Sequence, residues 1–336
     1  MDEAALTNAL LEIGDSSWVG ESRRIAARVA EREGMPAGRA ADAAIVVSEL
    51  ATNLLKHAQK GLLQIAPLSA RGQAAGVEIL AIDRGPGIAN LPASFRDGHS
   101  TAGTAGGGLG AIRRLSSDFD VYSQPGKGTV IVSQIFSERI IVPPGFRVGV
   151  TARPLAGEPV SGDAWAIRAG ESAVLLMVAD GLGHGVLAAE ASTAATLAFR
   201  SSGEQSPERL VELMHRALRG TRGAAVAVAR VDFADFGVRF AGLGNVAGTV
   251  ATAGKLHAMV SHNGTAGHEA RRIREFLYPW DPESVIVMHS DGLSTNWNLA
   301  AFPGLTVHHP SVISGVLYRE AARDRDDACV IVGKRR

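Results

Sequence analysis

Apolar residues return every three to four positions across residues 17–32 and, more regularly, across 38–58, which predicts two amphipathic helices early in the chain. Short apolar runs follow at 62–66 and 77–82 and have the length and composition of strands. After a glycine-rich stretch, residues 111–114 lie inside a further helix, and 119–123 with 129–136 read as a hairpin closed at Gln124-Pro125-Gly126. Pro143-Pro144-Gly145 then interrupts the pattern, because Pro-Pro-Gly suits a connector better than the interior of a helix or sheet. Beyond it the chain reads as strands at 163–168, 173–179, 224–231, 237–241, 246–251, 284–289 and 328–332. Two helices lie among them, 186–199 and 207–218, the second opened by Ser206 as a cap. A length of 336 residues suits roughly two domains at about 150 residues each, so a junction near residue 144 is expected.

Charge and composition narrow the function. Lys+Arg and Asp+Glu both total 34, so no net field favours nucleic acid or an anionic membrane, and neither is expected as a partner. The apolar runs fall well short of the ~18–20 residues that span a bilayer. The first residues lack a basic segment leading a hydrophobic stretch, so no signal peptide is read there. The single cysteine, Cys329, sits in an apolar run and excludes an internal disulfide or zinc cluster, which fits a reducing cytosol. A soluble, cytoplasmic protein is the expectation. The 39 glycines cluster between hydrophobic runs, as turns built close to ligands do.

Candidate chemistry in the first half has three parts. Glu49, Asn53 and His57 recur at every fourth position on the 38–58 helix and form a polar stripe, with Val47, Leu50, Ala51, Leu54, Leu55 and Ala58 opposite. A solvated helix face reads the same way, although Asn suits that purpose poorly. Asp83-Arg84-Gly85-Pro86-Gly87 follows directly on the 77–82 strand, where an Asp between a strand end and two glycines presents a carboxylate to a ligand. By itself it is also an ordinary turn. Gly106-Gly107-Gly108-Leu109-Gly110 runs into a helix and offers backbone N–H groups to an anion. No Gly-x-x-x-x-Gly-Lys-Ser/Thr segment is present, so a P-loop is excluded.

In this order the three parts resemble the nucleotide-binding fold shared by histidine kinases, gyrase-type ATPases and anti-sigma-factor serine kinases (the GHKL or HATPase fold). The resemblance is closest to the RsbT-type serine kinases, through Asp97-Gly98-His99-Ser100-Thr101, Arg114-Leu115 and Asp118-Phe119-Asp120-Val121, and covers residues 10–136. It implies that ATP is bound by Asp83, whose carboxylate takes the adenine amino group, by Gly85 and Gly87, by a lid of Gly106, Gly107, Gly108, Leu109 and Gly110, and by Thr129. Asn53 would hold Mg²⁺, and Glu49 would orient the accepting hydroxyl. Only about fifteen residues precede the first helix, which leaves no room for the phosphoacceptor helices of a histidine kinase and favours direct transfer to Ser or Thr. Lys56 and His57 suit a phosphate contact or plain surface equally.

In the second half, aspartates recur at the ends of apolar runs. They stand in Ser161-Gly162-Asp163, Asp180-Gly181-Leu182-Gly183-His184-Gly185, Ser290-Asp291-Gly292 and Arg325-Asp326-Asp327. An Asp-Gly pair is an ordinary turn dipeptide. Three glycines between a buried strand and a helix have little structural need, however, and carboxylates gathered from neighbouring strand ends require cations. Oxygen-only ligation suits Mg²⁺ or Mn²⁺. His184 is open between packing, capping and chemistry.

Together these segments resemble the SpoIIE/RsbX-type branch of the 2C-like metal-dependent protein phosphatases, across residues 146–334. The resemblance implies two Mn²⁺ or Mg²⁺ ions and hydrolysis of phosphoserine or phosphothreonine. It places Asp180 between both ions, the Gly181 carbonyl on one, Asp291 and Asp326 on the other, and Asp163 acting through water. Asp326 is chosen over Asp327 on the Arg-Asp-Asn form of the motif. The phosphate-gripping arginine has no clear counterpart near Asp163, and Arg153 lies far upstream.

The expected fold class is α+β: a GHKL-type α/β sandwich ATPase domain over 1–140, then an α-β-β-α phosphatase sandwich over 146–336. The expected function is a bifunctional switch that phosphorylates and dephosphorylates a STAS-type anti-sigma antagonist, with a sigma factor or stressosome-like assembly as a further partner. The alternative is a phosphatase whose first domain only binds ATP or sequesters such a partner.

Overall fold

A computed structural model describes residues 9–58, 61–95, 108–138, 145–235, 237–252 and 254–335. Contacts divide the chain into two compact units, Met1–Pro143 with Ser311–Arg319, and Pro144–Pro310 with Glu320–Arg336.

The first unit runs β1 (Ala9–Ile13), α1 (Ser17–Arg32), α2 (Ala37–His57), β2 (Gly61–Pro67), β3 (Gly76–Ile82), α3 (Leu91–Ser94), α4 (Gly108–Leu115), β4 (Asp118–Gln124) and β5 (Gly128–Phe136). The strands form one antiparallel sheet in the order β1-β2-β3-β5-β4. The stripes read from the sequence do what their period requires. Ile25, Ala26 and Val29 of α1 and Val46, Val47, Leu50 and Leu54 of α2 share one core with Leu63, Ile65, Ile79 and Ile131 of the sheet. Leu55, placed by sequence on the packing side, is 36% exposed because it lies at the edge of that stripe. The edge strand β1 had no sequence signal of its own and owes its register to β2, with Ala9 opposite Ile65.

A buried ion pair also sits in this unit. Arg71 Nη1 lies 2.6 Å from Glu78 Oε1, with the two side chains 0% and 1% exposed. Gln134 Nε2 and Ser311 Oγ each donate to Glu78 Oε2 at 2.8 Å. The carboxylate thus exchanges water for one cation and two neutral donors, the condition under which a buried charge is tolerated.

The second unit begins with β6 (Phe146–Arg153), β7 (Asp163–Ala169), β8 (Ala173–Gly181), α5 (Val186–Ser201), α6 (Pro207–Ala217), β9 (Ala224–Asp232), β10 (Gly237–Leu243) and β11 (Ala247–Thr252). It continues with β12 (Lys255–Met259), β13 (Ser261–His262), β14 (Gly264–Thr265), β15 (Glu269–Ala270), β16 (Phe276–Pro279) and β17 (Val285–His289). Strand β18 (Ala328–Arg335) closes the second unit, while helix α7 (Pro310–Ala321) belongs mostly to the first. One sheet has the order β13-β10-β9-β8-β7, with β16 also on β10; the other is β12-β11-β17-β18-β6. Val178, Ala227 and Phe240 of the first sheet meet Val150, Ile286 and Ile331 of the second in a shared core, as in a sheet-on-sheet sandwich. Helices α5 and α6 cover the other face of the first sheet through Ala191, Ala195, Phe199, Leu210 and Met214.

Two helices were expected after residue 144, and α7 is a third. Val312, Ile313, Val316, Leu317 and Tyr318 are all buried, and so are Ser311 and Ser314. Burial all round erases the one-sided period by which a helix is recognised, and Gly315 with three β-branched residues lowers its intrinsic propensity.

Candidate active sites

In the first unit, Glu49 and Asn53 stand one turn apart on α2, both half-buried. A Cβ placed on Gly108, the first residue of α4, would lie 3.7 Å from Glu49 Oε2 and 3.8 Å from both polar atoms of the Asn53 side chain. The carboxylate and the amide therefore face the start of that helix together. Leu109 and Gly110 continue α4, half-buried and buried. Gly106 and Gly107, and the 97–101 segment before them, lie outside the described residues.

Asp83 leaves the end of β3 with Oδ1 accepting from the Gly85 N–H at 2.7 Å, while its own N–H donates to the Thr129 carbonyl at 2.9 Å. Burial raises its carboxyl above the usual range, and the backbone donors of Gly85 and Thr129 pull it back. Gly128 has φ +86° and lies against the Asp83 backbone so closely that no Cβ fits. Gly87, φ +72°, meets the Gln124 carbonyl in the same way. Thr129 is buried, with its hydroxyl 2.9 Å from Ser123 Oγ, which also takes the Ile88 N–H at 2.7 Å. Arg319 Nη1 donates to the Asp83 carbonyl at 3.2 Å, a contact no local pattern announces. Lys56 and His57 are exposed. The result is a half-buried carboxylate acceptor at one end and an amide with a second carboxylate at the other, suited to an amino-purine and to a hydroxyl acceptor.

In the second unit, strand pairing collects the aspartates. The β7–β8 register sets Asp163 directly opposite Asp180. Asp291 follows β17 by one residue after Ser290, and Asp326 stands shortly before β18, the strand paired with β17. Ser290 ties three of these segments together. Its Oγ donates to Asp163 Oδ2 at 2.5 Å and accepts from the Cys329 N–H at 3.1 Å. The Asp291 N–H reaches Asp180 Oδ2 at 3.4 Å, and Asn245 Nδ2 donates to Asp291 Oδ2 at 2.6 Å.

Burial first, and then neighbouring carboxylate charge, holds Asp163, Asp180 and Asp326 in the protonated direction. Asp163 is driven well above the normal range, first by burial and then by Asp180. Asp180 is pushed up to about 7 by burial, then by Asp291. Asp326 rises through burial and the same Asp291. Burial raises Asp327 too, but its partners differ. Its two oxygens accept the Leu155 N–H at 2.8 Å and the Gly162 N–H at 2.9 Å, and the residue is 2% exposed. Among the described residues no group of three or more His, Cys, Asp or Glu side chains is already placed to hold a metal ion. The donor chemistry nevertheless fits a hard divalent cation: an all-oxygen set, crowded and destabilised by its own charge, with Asp291 turned aside onto a neutral amide.

Of the residues around this cluster, the sequence marked His184 without settling its role and missed Glu158, Asn245 and Arg222. His184 Nδ1 lies 2.5 Å from Glu158 Oε1, and both line a cavity of about 430 Å³ with Gly183 and Arg222. Arg153, too far upstream in the sequence to be read as the phosphate-gripping arginine, lies 3.9 Å from the exposed Asp324. No motif marks Glu158, Asn245 or Arg222, because isolated residues on separate loops carry no spacing.

Comparison with known proteins follows the two units. Residues 15–134 match the family described as histidine kinase-like ATPase domain, and residues 170–336 match stage II sporulation protein E. The serine/threonine-protein kinase RsbT of Bacillus subtilis is 36% identical over 110 residues, 33% of this chain and 82% of the relative. The phosphoserine phosphatase RsbX of the same organism is 24% identical over 139 residues, 41% of this chain and 70% of the relative. Among solved structures, a chain from the bacterial stressosome, described as a modular system adapted to control secondary messenger signalling, superposes with a TM-score of 0.54 at 28% identity. It covers 57% of this chain and 100% of its own. RsbX solved with magnesium gives a TM-score of 0.52 at 21% identity over 57% of this chain and 96% of its own, a likeness of fold.

Proposed function

We propose a bifunctional switch for this chain, which belongs to the RsbT family of serine/threonine kinases through its first unit and is homologous to the RsbX and SpoIIE phosphatases through its second. In this reading the first unit phosphorylates a STAS-domain anti-sigma antagonist on Ser or Thr, and the second removes that phosphate. The observation that carries it is the presence in one polypeptide of both chemistries: Glu49 with Asn53 facing the start of α4, and the crowded aspartates at the ends of β7, β8 and β17.

For the forward step, Asp83 and Thr129 seat the adenine, and the α4 N-terminus with Gly106, Gly107 and Gly108 receives the phosphates. Asn53 would hold Mg²⁺, which would supply positive charge against the phosphates. The substrate hydroxyl oxygen bonds to the γ-phosphorus, the bond to the bridging oxygen of ADP breaks, and Glu49 takes the hydroxyl proton. For the reverse step, Asp180, the Gly181 carbonyl, Asp291, Asp326 and, through water, Asp163 would hold two Mn²⁺ or Mg²⁺ ions, which would supply Lewis acidity and a nucleophile at neutral pH. Asp326 is preferred to Asp327 because both oxygens of Asp327 are already taken by backbone N–H groups, which leaves it the task of fixing the Leu155 and Gly162 loop. His289 and Ser290 support the site from the strand end.

The test uses γ-labelled ATP, Mg²⁺/Mn²⁺ and a STAS-domain protein encoded near this gene, comparing wild type with Asp180→Asn. Label that accumulates with the variant and stays low with wild type supports both activities on one substrate. Label equal in the two proteins refutes the phosphatase half. No label, with a sigma factor retained by the protein, refutes the kinase half in favour of sequestration.

A further inference from the structure

We infer that Arg222 grips the substrate's phosphoryl group beside the aspartate cluster, an inference that rests on the phosphatase reading above. A site that gathers four carboxylates has an electrostatic problem with its own substrate, because a phosphomonoester dianion is repelled wherever cation charge does not reach it. A guanidinium answers this: it stays charged at any working pH and offers a planar fork that matches two phosphate oxygens.

Three observations single out Arg222. It lines the cavity of about 430 Å³ whose other wall is the Gly183-His184-Gly185 turn leaving Asp180. That wall adjoins the aspartates: a Cβ on Gly162, the residue before Asp163, would lie 3.3 Å from the Gly183 carbonyl. Second, the guanidinium is uncommitted. Among the described residues no carboxylate lies within ion-pair distance of it, and the cavity's own acid, Glu158, is engaged by His184 instead. Of the other arginines near the cluster, Arg323 reaches the Asp291 carbonyl at 3.2 Å and Arg153 lies 3.9 Å from the exposed Asp324, while Arg325, beside Asp326, lines no part of this cavity.

Third, the backbone carrying Arg222 is pinned. Its carbonyl lies 3.0 Å from His268 Nε2, and the next residue, Gly223, accepts the Leu182 N–H at 3.0 Å and donates to Thr221 Oγ1 at 3.0 Å. Ala224 then bridges to Ala266. The turn that carries Asp180 and the turn that carries Arg222 are therefore stitched together, so ordering cost on binding falls mainly on one side chain. The guanidinium also crosses over Gly183, where a Cβ would lie 3.3 Å from Nη1, so the absent side chain leaves room for it. Val186 and Leu187, 58% and 48% exposed, extend the same cavity as an apolar rim, which fits a phosphate carried on a protein segment better than a small free phosphoester.

The experiment titrates inorganic phosphate calorimetrically into the full chain with saturating Mg²⁺, for wild type, Arg222→Gln and Arg222→Lys. The expected result is at least tenfold weaker phosphate binding in Arg222→Gln and an intermediate value in Arg222→Lys, with Mg²⁺ affinity and melting temperature unchanged. With p-nitrophenyl phosphate, KM should rise at least tenfold while kcat moves much less. Equal phosphate affinity in wild type and Arg222→Gln overturns the inference. So does a wild type that binds no phosphate, or a loss of Mg²⁺ affinity parallel to that of phosphate, since the residue would then be structural. Arg222-dependent phosphate binding by a protein that hydrolyses no phosphoester would retain the site and defeat the phosphatase reading instead.

Discussion

Substituting Asp180 by Asn should have opposite effects on the metal-free and metal-loaded protein. In the metal-free fold the Asp180 carboxyl is pushed from 3.8 up to about 7 by burial and by Asp291, so the native state holds its proton more tightly than the unfolded chain. A raised acid adds nothing below pH ~4, where both states are protonated, and native stability falls as pH rises from ~4 to ~7. Above that window the ionised group carries a constant penalty, at most about 4 kcal/mol at 1.36 kcal/mol per pH unit. An amide removes the charge but must still be desolvated, so roughly 1–2 kcal/mol should be recovered. At about 2–4 °C per kcal/mol, the metal-free variant at pH 8 should melt about 2–8 °C above wild type. At pH 4 the gap should close. Mn²⁺ at a hundredfold excess over its Kd should stabilise wild type by about 2.7 kcal/mol and the variant by much less. Differential scanning calorimetry at pH 4 and pH 8, in chelator and in Mn²⁺, reads all four conditions. An Asn variant less stable than wild type in chelator at pH 8, with a full Mn²⁺ response, would refute the claim that these aspartates crowd one another in wait for a cation.

Removing one partner of the buried pair, as in Glu78→Gln or Arg71→Met, should cost about 3–5 kcal/mol in urea unfolding of the first unit, because the remaining charge has no water to turn to. Replacing both together should cost less than either change alone. Asp83→Ala should weaken ATP at least tenfold by calorimetry, since a buried acceptor for a ligand N–H is lost, whereas Glu49→Ala should leave ATP binding intact and cut phosphotransfer about 10²–10⁴-fold. Gly128→Ala should cost about 1–2 kcal/mol from its φ of +86° alone, and more from its contact with the Asp83 backbone, and should lower ATP affinity as that backbone shifts. The Cys329 thiol, fully buried and pushed up by burial, should resist Ellman's reagent until the protein unfolds.

Much of this protein is legible in order along the chain. One-sided helices such as α1 and α2, and buried strands such as β3 and β8, announce themselves because burial on a single face or in a short run leaves a period or a run in the sequence. The glycine motifs are equally plain, since a backbone that passes as close to another as Gly128 does to Asp83 admits no side chain. Other features depend on which distant segments meet, and that is decided by pairing register. Asp163 faces Asp180 only because β7 and β8 align there, and Asp326 parts company with Asp327 only because the latter finds two backbone N–H groups from the 155–162 loop. Helix α7 stayed hidden because burial on every side leaves no polar stripe. Arg222 is one arginine among many in the sequence. It becomes a candidate when the turn after Asp180 is hydrogen-bonded to its own loop and, among the described residues, no carboxylate pairs with it.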